Sequence, residues 1–194
     1  FSAAENQTSI GSVVATDAEG DSLTYTVSGA ELAISSTGVL VFVAAPDFET
    51  KATYTATVTV NDGVNNASQA ITVSVTNVND IVPVISSDAT FSAAENQTAI
   101  GPVVATDAEG DSLTYAVSGA ELAISSTGVL TFVAAPDYET KSSYTATLTV
   151  NDGVNDTTQA ITVSVTNVND IAPVISSDPT FSAAENQTAI GNVI

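Results

Sequence analysis

Phe1, Phe91 and Phe181 each open the string FSAAENQT, so the chain repeats itself every 90 residues. Residues 1–90 and 91–180 differ at only 13 positions, among them Ser12/Pro102, Phe48/Tyr138 and Asn66/Asp156. Both copies must therefore fold by the same rules, and the chain is a tandem array. A third copy begins at Phe181 and breaks off at Ile194, so the pattern is expected to run on past this end. Copies this alike carry a risk of misfolding by strand exchange.

Within one copy the apolar residues alternate with period two in Ile10 to Thr16, Leu23 to Val27, Gly38 to Val43, Tyr54 to Val60 and Ala70 to Val75. Turn-forming residues break the pattern at Ala18-Glu19-Gly20-Asp21, Ser35-Ser36-Thr37-Gly38 and Asn61-Asp62-Gly63. A first strand at Phe1 to Ala4 and a short one at Leu32 to Ser35 bring the number to about seven. No segment keeps helical spacing. The chain is expected to be all-β, as two tandem seven-stranded Greek-key β-sandwiches of immunoglobulin-like architecture. Tyr25, Phe42 and Tyr54, with Tyr115, Phe132 and Tyr144, should be the largest core side chains, because each lies in an alternating strand. The expected modules are 1–80 and 81–170, with 171–194 as a linker and the first strand of a truncated third copy.

Composition removes most other classes. Twenty-two acids face 2 Lys+Arg and no His, giving a formal charge of −20, so there is almost no cation to grip nucleic acid or an anionic membrane. No apolar run reaches the ~18–20 residues of a membrane span. The absence of Cys and His takes away disulfides, thiolate sites, the commonest general base and the commonest zinc ligand. High charge and 6% aromatics favour disorder, but 44% hydrophobic content in alternating runs outweighs them.

The acids are unevenly placed. Strand interiors carry almost none, while turns and the boundary between copies hold Glu5, Asp17, Glu19, Asp21, Asp47, Glu49, Asp62 and Asp80. Carboxylates gathered at one end of a sandwich repel unless a cation neutralises them, and all-oxygen sites suit Ca²⁺. Asp17, Glu19 and Asp21 have the spacing of the first EF-hand positions, but Ser28 occupies the place of the bidentate Glu and no helices flank the loop.

Several strings carry a family resemblance. Ala3-Ala4-Glu5-Asn6 resembles the cadherin PEN motif, with Ala in place of Pro. Pro46-Asp47-Phe48-Glu49 and Pro136-Asp137-Tyr138-Glu139 resemble LDRE. Asn77-Val78-Asn79-Asp80-Ile81-Val82-Pro83 resembles the DxNDNxP linker, Ala105-Thr106-Asp107-Ala108-Glu109-Gly110-Asp111 resembles ATDxD, and Val150-Asn151-Asp152-Gly153 resembles the late AxDxG turn. The five occur in family order over residues 1–170, and the chain looks most like the bacterial cadherin-like repeat of large surface or secreted adhesins.

The resemblance implies a cluster of three calcium ions at the junction of successive copies. Glu5 and Glu49 would bind the outer ions, Asp47 the middle one, and Asp80 would be shared. Asn79, the carbonyl of Ile81, Asp107 and Asp152 would surround the third ion, with Glu109 or Asp111 reaching back to the middle one. Asn77 stands where the family has Asp, and Ile81 where it has Asn. Glu95, Asp137, Glu139 and Asp170 would form the donor half of the next junction. Asp17, Glu19, Asp21 and Asp62 are expected to be solvated turns. The implied role is non-enzymatic: a secreted or cell-surface module, stiffened by calcium and touching adjacent repeats of the same chain, with homophilic adhesion as a further possibility. A calcium-dependent carbohydrate-binding module acting on surface polysaccharide is the alternative, although the chain has no Trp and few aromatic candidates beyond Phe48 and Tyr138.

Overall fold

The computed structural model describes residues 1–177 and 179–191. No helix is present among them, and so none is long and apolar enough to cross a membrane. The first copy forms seven strands: β1 (Ser2–Ala4), β2 (Ser9–Ser12), β3 (Thr24–Val27), β4 (Leu32–Ile34), β5 (Val39–Phe42), β6 (Thr53–Asn61) and β7 (Asn66–Thr76). One sheet has the order β1-β7-β6-β3 and the other β2-β5-β4. The two long strands make an antiparallel hairpin from Thr53↔Ser74 to Asn61↔Asn66, and β1 joins its outer edge in parallel, Ala3 opposite Val75.

The second copy repeats this plan with β9 (Thr90–Ala94), β10 (Ala99–Pro102), β12 (Thr114–Val117), β13 (Leu122–Ile124), β14 (Val129–Phe132), β15 (Ser143–Asn151) and β16 (Asp156–Thr166). It adds a short pair, β8 (Val84–Ile85) and β11 (Ala105–Thr106), bonded to each other. The chain divides into two compact units. One holds Phe1–Ser86 with Ala105–Thr114 and Val150–Thr157, and the other holds Ser87–Val104, Tyr115–Thr149 and the chain from Thr158 on.

The core of the first copy gathers the inward side chains of both sheets, with Leu40 and Val73 wholly enclosed and Leu32, Phe42, Val58, Ile71 and Val75 around them. Phe42 and Phe132 are buried, whereas the tyrosines lie half-buried beside them. Phe42 meets Tyr54 edge to face at 4.9 Å, a favoured aromatic geometry. Lys51 lies 4.4 Å from the Tyr54 ring centre while pairing with Glu31 at 2.6 Å. Lys141 repeats this with Tyr144 and Glu121, so both lysines of the chain are engaged away from the acidic turns.

Two expectations change. The second strand was expected to run from Ile10 to Thr16, but it stops at Ser12 in the first copy and is resumed at Ala105–Thr106 only in the second, where Val84–Ile85 supplies a partner. A strand needs a neighbour to satisfy its backbone, so identical residues differ in state according to what lies beside them. The strand expected at Phe181 is not formed by the described residues. Its counterpart β1 pairs with β7 of its own copy, and the sequence given ends before any such segment of the third.

The Ser35–Gly38 turn illustrates a tight backbone approach. Gly38 sits at φ +83°, receives the Val13 amide on its carbonyl at 2.8 Å, and would place a Cβ 2.4 Å from the Val13 oxygen. Gly29 has nearly the same φ, +85°, with nothing within 4 Å. Gly29→Ala should therefore cost about 1–2 kcal/mol for the left-handed conformation alone. Gly38→Ala should lower the midpoint of urea unfolding clearly further, and equal midpoints would contradict the close approach.

Candidate metal centre

The site grows from the end of β1. Glu5 directly follows the strand, its amide bound to the Thr76 carbonyl at 3.1 Å, and Asn6 turns the chain at φ +61°, a conformation that asparagine tolerates. The Glu5 side chain is only 3% exposed. One carboxylate oxygen accepts the Phe48 amide at 2.8 Å and the other the Val78 amide at 2.7 Å, so a single side chain ties the 46–49 loop to the 77–81 linker.

Further along, Asp107 Oδ1 accepts the amides of Glu109 (2.9 Å) and Asp111 (3.2 Å), which curls the 107–111 turn around its own carboxylate. Glu109 then reaches the linker, where its Oε2 accepts the Asp80 amide at 3.0 Å and the Ile81 amide at 2.8 Å. Asn79 donates to the Asp152 carbonyl at 3.4 Å and accepts from Asn155 Nδ2 at 2.7 Å. The Asn6 amide group hydrogen-bonds Asp80 Oδ2. All of these residues belong to the compact unit that contains the first copy.

Two carboxylate groups result. Glu5, Glu49, Asp80 and Glu109 each bring an oxygen within 4.8 Å of the others, and Asp107, Glu109 and Asp111 do the same, with Glu109 shared. Oxygens on opposite sides of a Ca²⁺ at ~2.4 Å lie about 4.8 Å apart, so the spread is that of a single coordination shell. No lysine is available to neutralise them, since Lys51 and Lys141 are bound to Glu31 and Glu121. Asp107 Oδ2 and Glu109 Oε1 are buried with no hydrogen-bond partner. Buried polar atoms are normally satisfied, and orphaned carboxylate oxygens beside other carboxylates fit a cation and disfavour a protein donor. Oxygen-only donors in flexible turns match calcium better than the strict octahedron of magnesium.

The acid–base character follows the same geometry. Loss of solvation among the surrounding carboxylates, then the charges of Glu5, Glu109 and Asp47, push the Glu49 carboxyl up. Thr50, through its hydroxyl and its amide, holds Asp47 below the usual aspartate range. At Asp152 burial works against ionisation, but the amides of Asn155 and Val154 outweigh it and keep the carboxyl low.

Of the residues singled out from sequence, Glu5, Glu49, Asp80, Asp107, Glu109 and Asp111 are brought together, and Glu109 and Asp111 occur side by side instead of as alternatives. Asn79 and Asp152 are joined to each other. Asp47 lies outside both groups, both its oxygens accepting from Thr50. Glu95, Glu139 and Asp170 form a third group, from which Asp137 is likewise withdrawn by Thr140. Asn167, the counterpart of Asn77, donates to Glu139 at 2.7 Å. Asp17 and Asp62 accept the same local amides as Asp107 and Asp152, so these turns are preformed before any linker reaches them. Sequence reasoning missed Asn6 and Asn155. The Asn that closes the Ala3-Ala4-Glu5-Asn6 string and the Asp-Gly-Val-Asn turn were the available signals.

A model of the family described as "Bacterial Ig domain" matches residues 1–76 and again 79–166. Chitinase A of Pseudoalteromonas piscicida is 36% identical over 154 residues, covering 77% of this chain but only 19% of that protein's length. Among solved structures, mouse cadherin-23 EC22-24 aligns with 100% of this chain and 72% of its own, at 21% identity and a TM-score of 0.76. Human protocadherin-24 EC1-2 covers 86% of this chain and 90% of its own, at 23% identity and a TM-score of 0.69. The protocadherin gammaB7 EC3-6 cis-dimer structure covers 94% of this chain and 52% of its own, at 26% identity and a TM-score of 0.72. The chain belongs to the bacterial Ig domain family, as a tandem repeat built on the cadherin-like fold.

Proposed function

We propose that this chain is a calcium-binding, non-catalytic spacer and adhesion module of an extracellular bacterial protein, in which 1–80 and 81–170 act as successive repeats and 171–194 leads into a third. Calcium would sit between Glu5, Glu49, Asp80 and Glu109 and between Asp107, Glu109 and Asp111, with Asp47, Asn77, Asn79, the Ile81 carbonyl and Asp152 completing the shells. The observation that carries this reading is the pair of buried, unpartnered oxygens, Asp107 Oδ2 and Glu109 Oε1, inside a carboxylate group that no lysine reaches. Bound ions would replace repulsion by attraction and tie the linker to the 105–114 and 150–157 turns. Glu95, Glu139 and Asp170 would hold a further ion more weakly.

Extracellular modules of this kind bind calcium at about 10⁻⁴–10⁻³ M, so the medium would set occupancy. A tenfold excess over the dissociation constant should stabilise the fold by about 1.4 kcal/mol per site, seen as a rise in Tm over the same protein in chelator. In calorimetry, Asp80→Ala should weaken more than one binding step. An unchanged Tm and no calcium heat in the parent protein would defeat the reading.

Glu49 supplies a separate test in chelator. Its folded value is raised, so its contribution to stability is fully present below the ordinary 4.5 and lost as pH rises through the folded value. Asp47 and Asp152 are lowered, so their contributions persist above 3.8 and vanish only as pH falls below it. Above both windows, at neutral pH, Glu49→Gln should raise the Tm of the calcium-free protein, and the gain should shrink toward pH 4.5. A gain that does not change with pH would refute the crowding of charge at Glu49.

The likeness to a chitinase favours one other reading, a module that accompanies polysaccharide-degrading enzymes and binds the polymer. Tyr138, 38% exposed beside Glu139, is its candidate contact. Retention on insoluble chitin, lost on Tyr138→Ala, would support it, and equal elution of both proteins would remove it.

A further inference from the structure

Main-chain amides hold most of the clustered carboxylates in place. Glu5 accepts from Phe48 and Val78, Glu109 from Asp80 and Ile81, and Asp107 from Glu109 and Asp111. Asp80 is held by a side chain instead. Its Oδ2 accepts from the amide group of Asn6, 74 positions away in the chain.

Both partners in this bond are fixed through their own main chains. The Asn6 amide donates to the Pro46 carbonyl at 3.0 Å, and the Asp80 amide donates to Glu109 Oε2 at 3.0 Å. Both side chains are exposed, so burial does not keep the Asp80 carboxyl in the company of Glu5, Glu49 and Glu109. Like charges at this range repel, and an exposed carboxylate turns toward water unless a donor restrains it. Asn6 also sits at φ +61°, a backbone conformation that glycine, asparagine and aspartate tolerate. Of these three, only asparagine carries a side-chain N–H. The position therefore makes two demands, a left-handed turn and a donor, and asparagine meets both. Asn96 repeats the device in the third carboxylate group, at φ +64° and with its Nδ2 2.5 Å from Asp170 Oδ2.

We propose that Asn6 is a positioning residue of the calcium centre. Its N–H occupies one oxygen of Asp80, holds that carboxyl in the group with Glu5, Glu49 and Glu109, and leaves the other oxygen for the ion. Asn6 itself touches no ion. Asn96 serves Asp170 in the same way. This inference rests on the calcium reading above and adds that affinity depends on a neutral amide outside the coordination shell, since hydrogen bonds to ligating carboxylates orient them. Ligand charge alone leads to the opposite expectation, that a further carboxylate at position 6 would tighten binding.

Calorimetric titration of the intact chain with calcium chloride, beside thermal melting in chelator, tests this. Asn6→Gly keeps the left-handed turn and removes the donor. It should weaken one binding step by about 10–100-fold, while the Tm in chelator moves little because the lost bond is exposed. Asn6→Asp keeps the turn and the side-chain size, and should weaken the same step at least as much, because it sets a second carboxylate against Asp80. Asn96→Gly should weaken a different step. Isotherms that match the parent, tighter binding by Asn6→Asp, or a lower Tm in chelator with unchanged affinity would each overturn this inference and leave the calcium reading standing. No calcium heat in the parent would overturn both.

Discussion

The first copy is closed at one end by a buried carboxylate. Glu5 lies at the end of the shortest strand of its sheet, yet its two oxygens accept amides from residues 43 and 73 positions away. A buried carboxylate with both oxygens hydrogen-bonded is far less costly than one left bare, and removing it would strand two amides at once. Through these bonds the linker is held where Asp80 meets Glu49 and Glu109. Glu95 repeats the arrangement with Tyr138 and Val168, at 2.8 and 2.6 Å, so the device belongs to the repeat.

The same geometry creates an electrostatic problem that the protein does not solve from its own side chains. The strands are nearly free of charge and the turns carry the acids, while the two lysines lie over Tyr54 and Tyr144. Backbone amides satisfy one oxygen of Asp107 and one of Glu109 and leave the other of each bare. Repulsion of this kind is tolerable in water at the surface and expensive when oxygens are enclosed.

Near-identity of the copies makes the molecule its own control. Asp62 and Asp152 make the same turn bonds, but the first is half-buried and the second almost enclosed, because Asn79 covers only the second. Ala15–Thr16 and Ala105–Thr106 are the same dipeptide, coil in one copy and strand in the other. Burial and strand formation at these positions are set by the neighbouring segment and hardly at all by local sequence.

Most of the fold was legible because alternation with period two is a direct record of which face of a strand is buried, and turn residues mark the breaks. The acids were legible for a related reason: exclusion of charge from strand interiors leaves them only the turns. Pairing was not legible, since strands far apart in sequence meet by packing; Ala3 opposite Val75 and the β8–β11 pair could not be read from pattern. The sequence by itself determined a tandem array of charge-poor strands and acid-rich turns. Only the tertiary structure decided that Glu109 joins both carboxylate groups and that Asp47 is withdrawn by Thr50. Each of these depends on distances between atoms that chain order does not fix.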